Sequence, residues 1–297
     1  MHAFLVSAAL LASLWGAESS IVEARPGLVT SASPHYDLEV LYDQGRMDEG
    51  LEKAKAELAQ HPEDIDLYWH TARFMFEVGE RFDRTDKSID KVAWYEEMVG
   101  IFERGLERDP KNAHLLFGLG IAKGRLGTTK GVLASLFMAK DVEAAWLATV
   151  SSTYRYSSIR GQEQLPCDAY LCLGIFYRLV PDSFVFELIG GTRGSLDKSI
   201  ADLERSDRCG PGRIGTLKEL GISQLCKGQK TKDDALVVAG RSTLLRAKAL
   251  PPEGDTDVTD IRHIDMILAN PKLACGYSRD GQQDLDDEKL KAQQQPK

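Results

Sequence analysis

From about Pro34 to Leu268 the apolar positions recur at helical spacing, and alternating β-branched runs are nearly absent. The helical stretches stop at prolines in a recurring way. AELAQHP runs to Pro62, ERGLERDP to Pro110, ADLERSDRCGP to Pro211 and RAKALPP to Pro252. Proline lacks a backbone N–H and its ring clashes with the preceding turn, so each of these positions ends a helix. Self-similarity at about 34 to 48 residues predicts a stack of helical hairpins. The expected fold is all-α: an irregular helical-hairpin solenoid over 34–275.

Inside each predicted hairpin a small residue stands in mid-stripe. Second helices place Gly50, Ala54 and Leu58 before Pro62, then Met98, Phe102, Gly105 and Leu106 before Pro110, then Ser199, Leu203 and Ser206 before Pro211. First helices place Tyr68, Ala72 and Met75 before Gly79, and Leu116, Gly120 and Lys123 before Gly127. Two more place Tyr170, Gly174 and Tyr177 on one stripe, and Leu217, Gly221 and Gln224 before Gly228. A small residue at that level lets two helices approach closely while larger neighbours fill the space between them. These frames resemble tetratricopeptide repeats.

Three segments depart from a regular array. FDRTDKSID (82–90) lengthens one connection, and TTKGVLASLFMAKDVEAAWLATVSSTYRYSS predicts a long helix from Gly131 to about Ser152. PDSFVFELIGGTRGS separates the helices of the next unit. With DPKNAHLLFGLGIAKGRLGTTKGVLASLF and DAYLCLGIFYRLVPDSF, these features resemble the T component of bacterial TRAP transporters and, more distantly, regulators of microtubule dynamics. The likeness covers about Tyr36 to Leu250. It implies a periplasmic, helical, often homo-oligomeric protein that meets a substrate-binding partner protein and holds an apolar ligand in a channel. The lipid-attachment cysteine usual in that family has no counterpart after the N-terminal apolar run.

In such arrays the first helix of each hairpin lines the concave surface. Its outward stripe reads Asp66, Trp69, Arg73 and Phe76, then His114, Phe117, Ile121 and Arg125, then Asp168, Leu171, Ile175 and Arg178. Aromatic residues and arginine together have the composition of recognition surfaces, and arginine can grip a carboxylate through two N–H groups. Trp69, Arg73, Phe76, His114, Phe117, Arg125 and Arg178 are therefore the candidate binding face. The alternative is that neighbouring repeats bury the aromatics and acids such as Glu77 pair the arginines. Arg193, in the glycine-rich loop 190–195, precedes a helix start where N–H groups attract anions, although Ser195 reads more simply as an N-cap.

Chemistry is thin elsewhere. Ser195 and Lys198 match the S-x-x-K pattern of acyl-transfer enzymes without its companion motifs. The histidines show no H-x-x-x-H spacing, the acidic stretch after Asp280 lacks a calcium loop's alternation, and no phosphate loop occurs. The expectation is a binding protein, with no catalytic residue, no metal and no cofactor. A net charge of −8 argues against a general nucleic-acid binder.

The ends and the cysteines bear on location. Ala3 to Trp15 is an uncharged apolar run of thirteen residues, short of the roughly 20 that span a membrane, and reads as a signal peptide over 1–24. Cleavage is expected after Ser19 or Ala24. The alternative is an uncleaved N-terminal anchor. Residues 276–297 read as a disordered polar tail. Exported, periplasmic or cell-envelope location follows. Five cysteines leave one unpaired. An antiparallel hairpin brings Cys167 near Cys209, and a fold-back of the last stretch brings Cys275 to Cys226, leaving Cys172 as a buried thiol. Five reduced cysteines are the alternative. The functional expectation is an exported helical-repeat protein presenting a concave surface or channel to a protein partner, and to a small acidic or apolar ligand. A structural adaptor of the envelope with no small ligand is the other reading.

Overall fold

The computed structural model describes residues 27–82, 88–279 and 281. Among the described residues, twelve α-helices account for most of the structure. They run α1 Tyr36–Asp43, α2 Met47–Gln60, α3 Ile65–Glu80, α4 Lys91–Arg108, α5 Ala113–Lys130 and α6 Val132–Ser151, then α7 Cys167–Leu179, α8 Phe184–Gly190, α9 Leu196–Cys209, α10 Ile214–Thr231, α11 Asp234–Lys248 and α12 Asp255–Ala269. A 3₁₀ turn, Pro271–Gly276, follows. Short polar starts set several helices. Asp64, Asp90, Asn112, Ser195 and Asp233 each accept a backbone N–H from the first turn of the helix that follows. The Ser195 cap is made to the Lys198 N–H at 3.3 Å, so this serine holds a helix start.

Short connections make successive helices antiparallel neighbours, and α2 through α6 pack in sequence order, as do α9, α10 and α11. The small stripe positions are where these helices close on one another. A Cβ on Gly120 would lie 2.4 Å from the Trp146 indole nitrogen, and one on Gly174 would lie 2.4 Å from Leu203. The fold is thus all-α, a helical-hairpin solenoid. The long helix expected from Gly131 is α6, and the segment between α7 and α9 contains the short α8.

Two elements are absent from the sequence reading. Between α6 and α7 the chain forms a small antiparallel hairpin, β1 (Tyr156–Ser157) with β2 (Glu163–Leu165), joined by a parallel bridge to Leu28. The folded chain also continues beyond Cys275. Tyr277 is 4% exposed, so the polar tail does not begin at 276 as expected. The proposed leader and the centre of the 82–90 insertion lie outside the described residues.

The apolar core has two parts. One extends from Leu38 to Tyr177, and the other joins α10, α11, α12 and the 3₁₀ turn through residues such as Leu217, Leu225, Leu244 and Ile264. Between them α9 contributes buried hydroxyls. Ser199 donates to the Gly174 carbonyl at 2.7 Å and lies 3.0 Å from the Ser223 hydroxyl. Disulfides join Cys167 to Cys209 and Cys226 to Cys275, both within the second half of the chain, and Cys172 stays free.

Candidate functional site

The stripe along the first helices divides into a closed part and an open part. In the closed part the β-hairpin lies against α3 and α5. Trp69 stacks flat on His114, with ring centroids 4.3 Å apart and planes 4° apart. Tyr154 and Tyr156 meet the same His114 ring edge-on at 5.0 and 4.3 Å. Beneath them Arg73 lies over the Tyr42 ring, 3.3 Å from its centroid, and donates to Glu39 at 2.9 Å and to the Tyr156 hydroxyl at 3.1 Å. The Tyr156 hydroxyl in turn donates to Glu39 at 2.6 Å.

This network shifts the titrating groups it contains. Burial alone would push the Glu39 carboxyl up, but the Arg73 charge and the donated hydrogen bonds hold it below its ordinary range. Burial lowers His70 to about 4 and takes His114 well below the usual imidazole value, with Arg73 adding to the effect in both. Both histidines are therefore neutral at pH 7.

Trp69, Arg73, His114 and Phe117 are buried, which corrects the expectation that they form an open contact face. Tyr154 and Tyr156 close over His114, Trp69 packs between His114, Phe102 and Phe117, and a guanidinium taken out of water needs a carboxylate beside it, here Glu39. Glu77 is not that partner, since it accepts from the Tyr42 hydroxyl at 2.6 Å.

Six of the remaining stripe residues line a cavity of about 820 Å³. Phe76, Ile121 and Arg125 line it from α3 and α5, and Leu171, Ile175 and Arg178 line it from α7. Its apolar wall is completed by α6, with Val142 and Trp146, and by Phe186 of α8. Arg125 pairs with Glu80 and lies over the Phe76 ring. Arg178 is buried, ion-paired with Glu219, and donates to the Tyr277 carbonyl at 2.5 Å. Lys218 reaches Asp260 at 2.7 Å and Glu219 at 3.0 Å. Burial works against the Lys218 charge, yet Glu219 and Asp260 outweigh it and hold the ammonium above its ordinary value. Arg213, on the same wall, pairs with Asp168, whose carboxyl is raised by burial despite that partner. Cys172 faces the cavity too, and burial pushes its thiol up, away from thiolate.

Beside the cavity, α6 and α8 touch and form an apolar ridge in water. Val132 is 80% exposed, Leu188 77% and Phe184 69%, with Leu133, Phe137 and Val185 also exposed. Val132 belongs both to this ridge and to the cavity wall, and the exposed Leu179 of α7 lies on that wall too. Arg193 stands apart from the cavity wall and pairs with Asp182 at 2.6 Å, so its charge is already matched.

The sequence stripe thus located one wall of the cavity and missed the others. Lys218, Glu219, Asp260 and Arg279 come from α10, α12 and the chain after the 3₁₀ turn, and no repeat pattern ties them to the stripe. The hairpin left a faint signal, Tyr154-Arg-Tyr156 followed by Gly161 in the left-handed region at φ 76°. Donor atoms of Glu163, Cys167 and Cys209 cluster together, but the two sulfurs are joined to each other and offer no thiolate for a metal. No helix among the described residues is long and apolar enough to cross a membrane.

No protein-family model matches the chain, and no curated protein matches it. Solved structures similar in fold include a thermophilic TPR protein of Thermus thermophilus, at 15% identity over 71% of this chain and 79% of that one, with a TM-score of 0.42. MamA is similar at 15% identity over 70% and 93%, with a TM-score of 0.43. YrrB, described as a TPR protein with an unusual peptide-binding site, is similar at 12% identity over 75% and 88%, with a TM-score of 0.41. The chain's own hairpins, more than these distant likenesses, define its fold.

Proposed function

We propose that the protein acts by binding and not by catalysis. It is read as an exported helical-repeat protein that presents its concave surface, and the cavity opening from it, to a partner protein and a small ligand. The T component of a TRAP transporter is the pattern it follows, with a periplasmic substrate-binding protein as partner. The observation that carries this reading is the continuity of apolar surface from the α6–α8 ridge into a largely apolar cavity with an ion-paired cluster on its wall. Ligand pockets commonly have this make-up, apolar walls with a few polar groups converging at one place. Exposed apolar patches of this kind mark contacts with a protein or a membrane. Two disulfides suit a compartment outside the reducing cytosol.

A thermal-shift screen with apolar and acidic small molecules tests the ligand. At a concentration 100 times Kd, a ligand that binds only the folded state adds about 2.7 kcal/mol, which for a chain of this size is a rise of roughly 5–10 °C. The exposed ridge also favours a second reading, an envelope adaptor with a protein partner and no small ligand. A screen without any shift would select it. Export is tested by intact mass from the native host. The reading expects loss of the first 19 or 24 residues and one free thiol, whereas a full-length chain with five free thiols contradicts it.

A further inference from the structure

We propose that the cavity is a site for a single-chain amphiphile with an anionic head, the head held by Arg178 and Arg279 and the tail laid along α6 and α7. The proposal rests on the ligand-binding reading above. The lining of the cavity carries two chemistries. Leu136, Val142, Trp146, Ile175, Phe176 and Phe186 are apolar, while Arg178, Lys218, Glu219 and Asp260 form one ion-paired cluster, with Arg213 and Arg279 also on the wall. An occupant that suits both carries an apolar part and a polar part in one molecule.

An account of donors sets the sign of the polar part. Glu219 is held by Arg178 and Lys218, Asp260 by Lys218, and Asp168 by Arg213, so these carboxylates already have their cations. Arg178 spends its two terminal nitrogens on the Tyr277 carbonyl and Glu219, which leaves its buried Nε without an acceptor. Arg279, two residues past Tyr277, has a buried Nε that also lacks an acceptor among the described residues. Guanidinium groups offer donors only, and a buried donor without a partner is costly. The group that completes this part of the wall is therefore an acceptor, and beside two guanidinium cations an anionic one gains most. Of the other carboxylates of the wall, Glu253 is exposed just before α12, where screening weakens its repulsion, and the half-buried Asp257 accepts the Glu253 backbone N–H at 2.9 Å. The volume of about 820 Å³ falls in the usual range of ligand pockets. Entry is from the ridge, because the exposed Val132 of α6 belongs to both surfaces.

Calorimetric titration of the protein, stripped of bound lipid on an apolar resin, tests this with dodecanoate, dodecyl phosphate, dodecanol and dodecyltrimethylammonium. The expected result is one site at which both anions bind at least tenfold more tightly than the alcohol or the ammonium. The tighter of the two anions separates a fatty acid from a phosphate headgroup as the source. Decanoate, two methylenes shorter, should bind roughly tenfold more weakly than dodecanoate. Arg279→Met should reduce dodecanoate to the level of dodecanol while Arg279→Lys keeps the preference, with unchanged melting showing that both variants fold. Equal binding of alcohol and anion, unmoved by Arg279→Met, overturns the head-group assignment and leaves the cavity as a ligand site. Absence of binding by every alkyl probe overturns the ligand reading itself.

Discussion

The two halves of the stripe both set arginines among apolar side chains and have opposite fates. Around Arg73 the chain fills its own groove: Tyr154 and Tyr156 meet His114, His114 stacks on Trp69, and Glu39 neutralises the guanidinium. Around Arg178 the neighbouring helices stand back and leave a cavity, although that arginine is paired just as closely, with Glu219. The closed half is held by a buried polar and aromatic network. In the open half Leu171, Ile175 and Arg178 fall inside the loop closed by Cys167–Cys209, whereas Phe76, Ile121 and Arg125 lie outside both disulfide loops. A hairpin stack with a hole in its wall has lost packing contacts there, and covalent links offset that loss without filling the space. Arginines among apolar side chains therefore do not mark a binding face by themselves. What lies opposite the stripe decides.

This contrast can be broken at several points. The largest effect is expected from Arg73→Met, which strands Glu39 as a buried charge and should cost about 3–5 kcal/mol in a denaturant melt. Tyr156→Phe should be milder, since it keeps the ring against His114 and loses only the hydroxyl's bonds. Next, replacing Cys226 and Cys275 together by Ser should cost about 2–4 kcal/mol, because the link closes a long loop in the unfolded chain. It should also weaken ligand binding, since Ser278 and Arg279 follow Cys275 into the cavity wall. Loss of binding in Arg73→Met at a temperature where the protein remains folded would contradict the separation of the two halves.

Acid should act on the closed half. His70 titrates at about 4 in the folded protein and near 6.5 when unfolded, so between these values the unfolded chain binds more protons. Stability from this group is fully present above pH 6.5 and is lost as pH falls toward 4, by roughly 3 kcal/mol for His70. His114 shifts the same way. Melting followed between pH 7 and 4 should show this slope, reduced in His70→Gln. A flat profile would mean that the histidines are not buried neutral. The smallest effect belongs to the ridge. Leu188→Asp should change stability by no more than about 0.5 kcal/mol, because the side chain is 77% exposed, while reducing association with a partner through that surface.

Much of the helical frame was legible because it is written locally. Gly120 and Gly174 sit in the 3.6-residue stripes that the hairpins need, and Asp64 or Asn112 before an apolar run marks a helix start within a few residues. The stripe also pointed to Phe76, Arg125 and Arg178, which do reach the cavity. What escaped was non-local. Tyr156 meets Glu39 across 117 positions, and β1 has only two residues, too few for alternation to show. Lys218 and Asp260 are 42 positions apart, on helices whose own patterns read as ordinary repeat faces. Periodicity reports which side of a helix is apolar, and it does not report whether a neighbour will cover that side.

The central claim is that an apolar ligand enters beside α6 and not beside the hairpin. Quenching by a brominated alkyl probe tests it, in variants that retain only Trp146 or only Trp69, the other tryptophans being replaced by Phe. Bromine quenches on contact, Trp146 lines the cavity, and Trp69 is buried against His114 away from the cavity wall. The account predicts saturable quenching of Trp146 with Trp69 unaffected. Quenching of Trp69 to the same degree, or of neither residue at probe concentrations that fill a micromolar site, would contradict it.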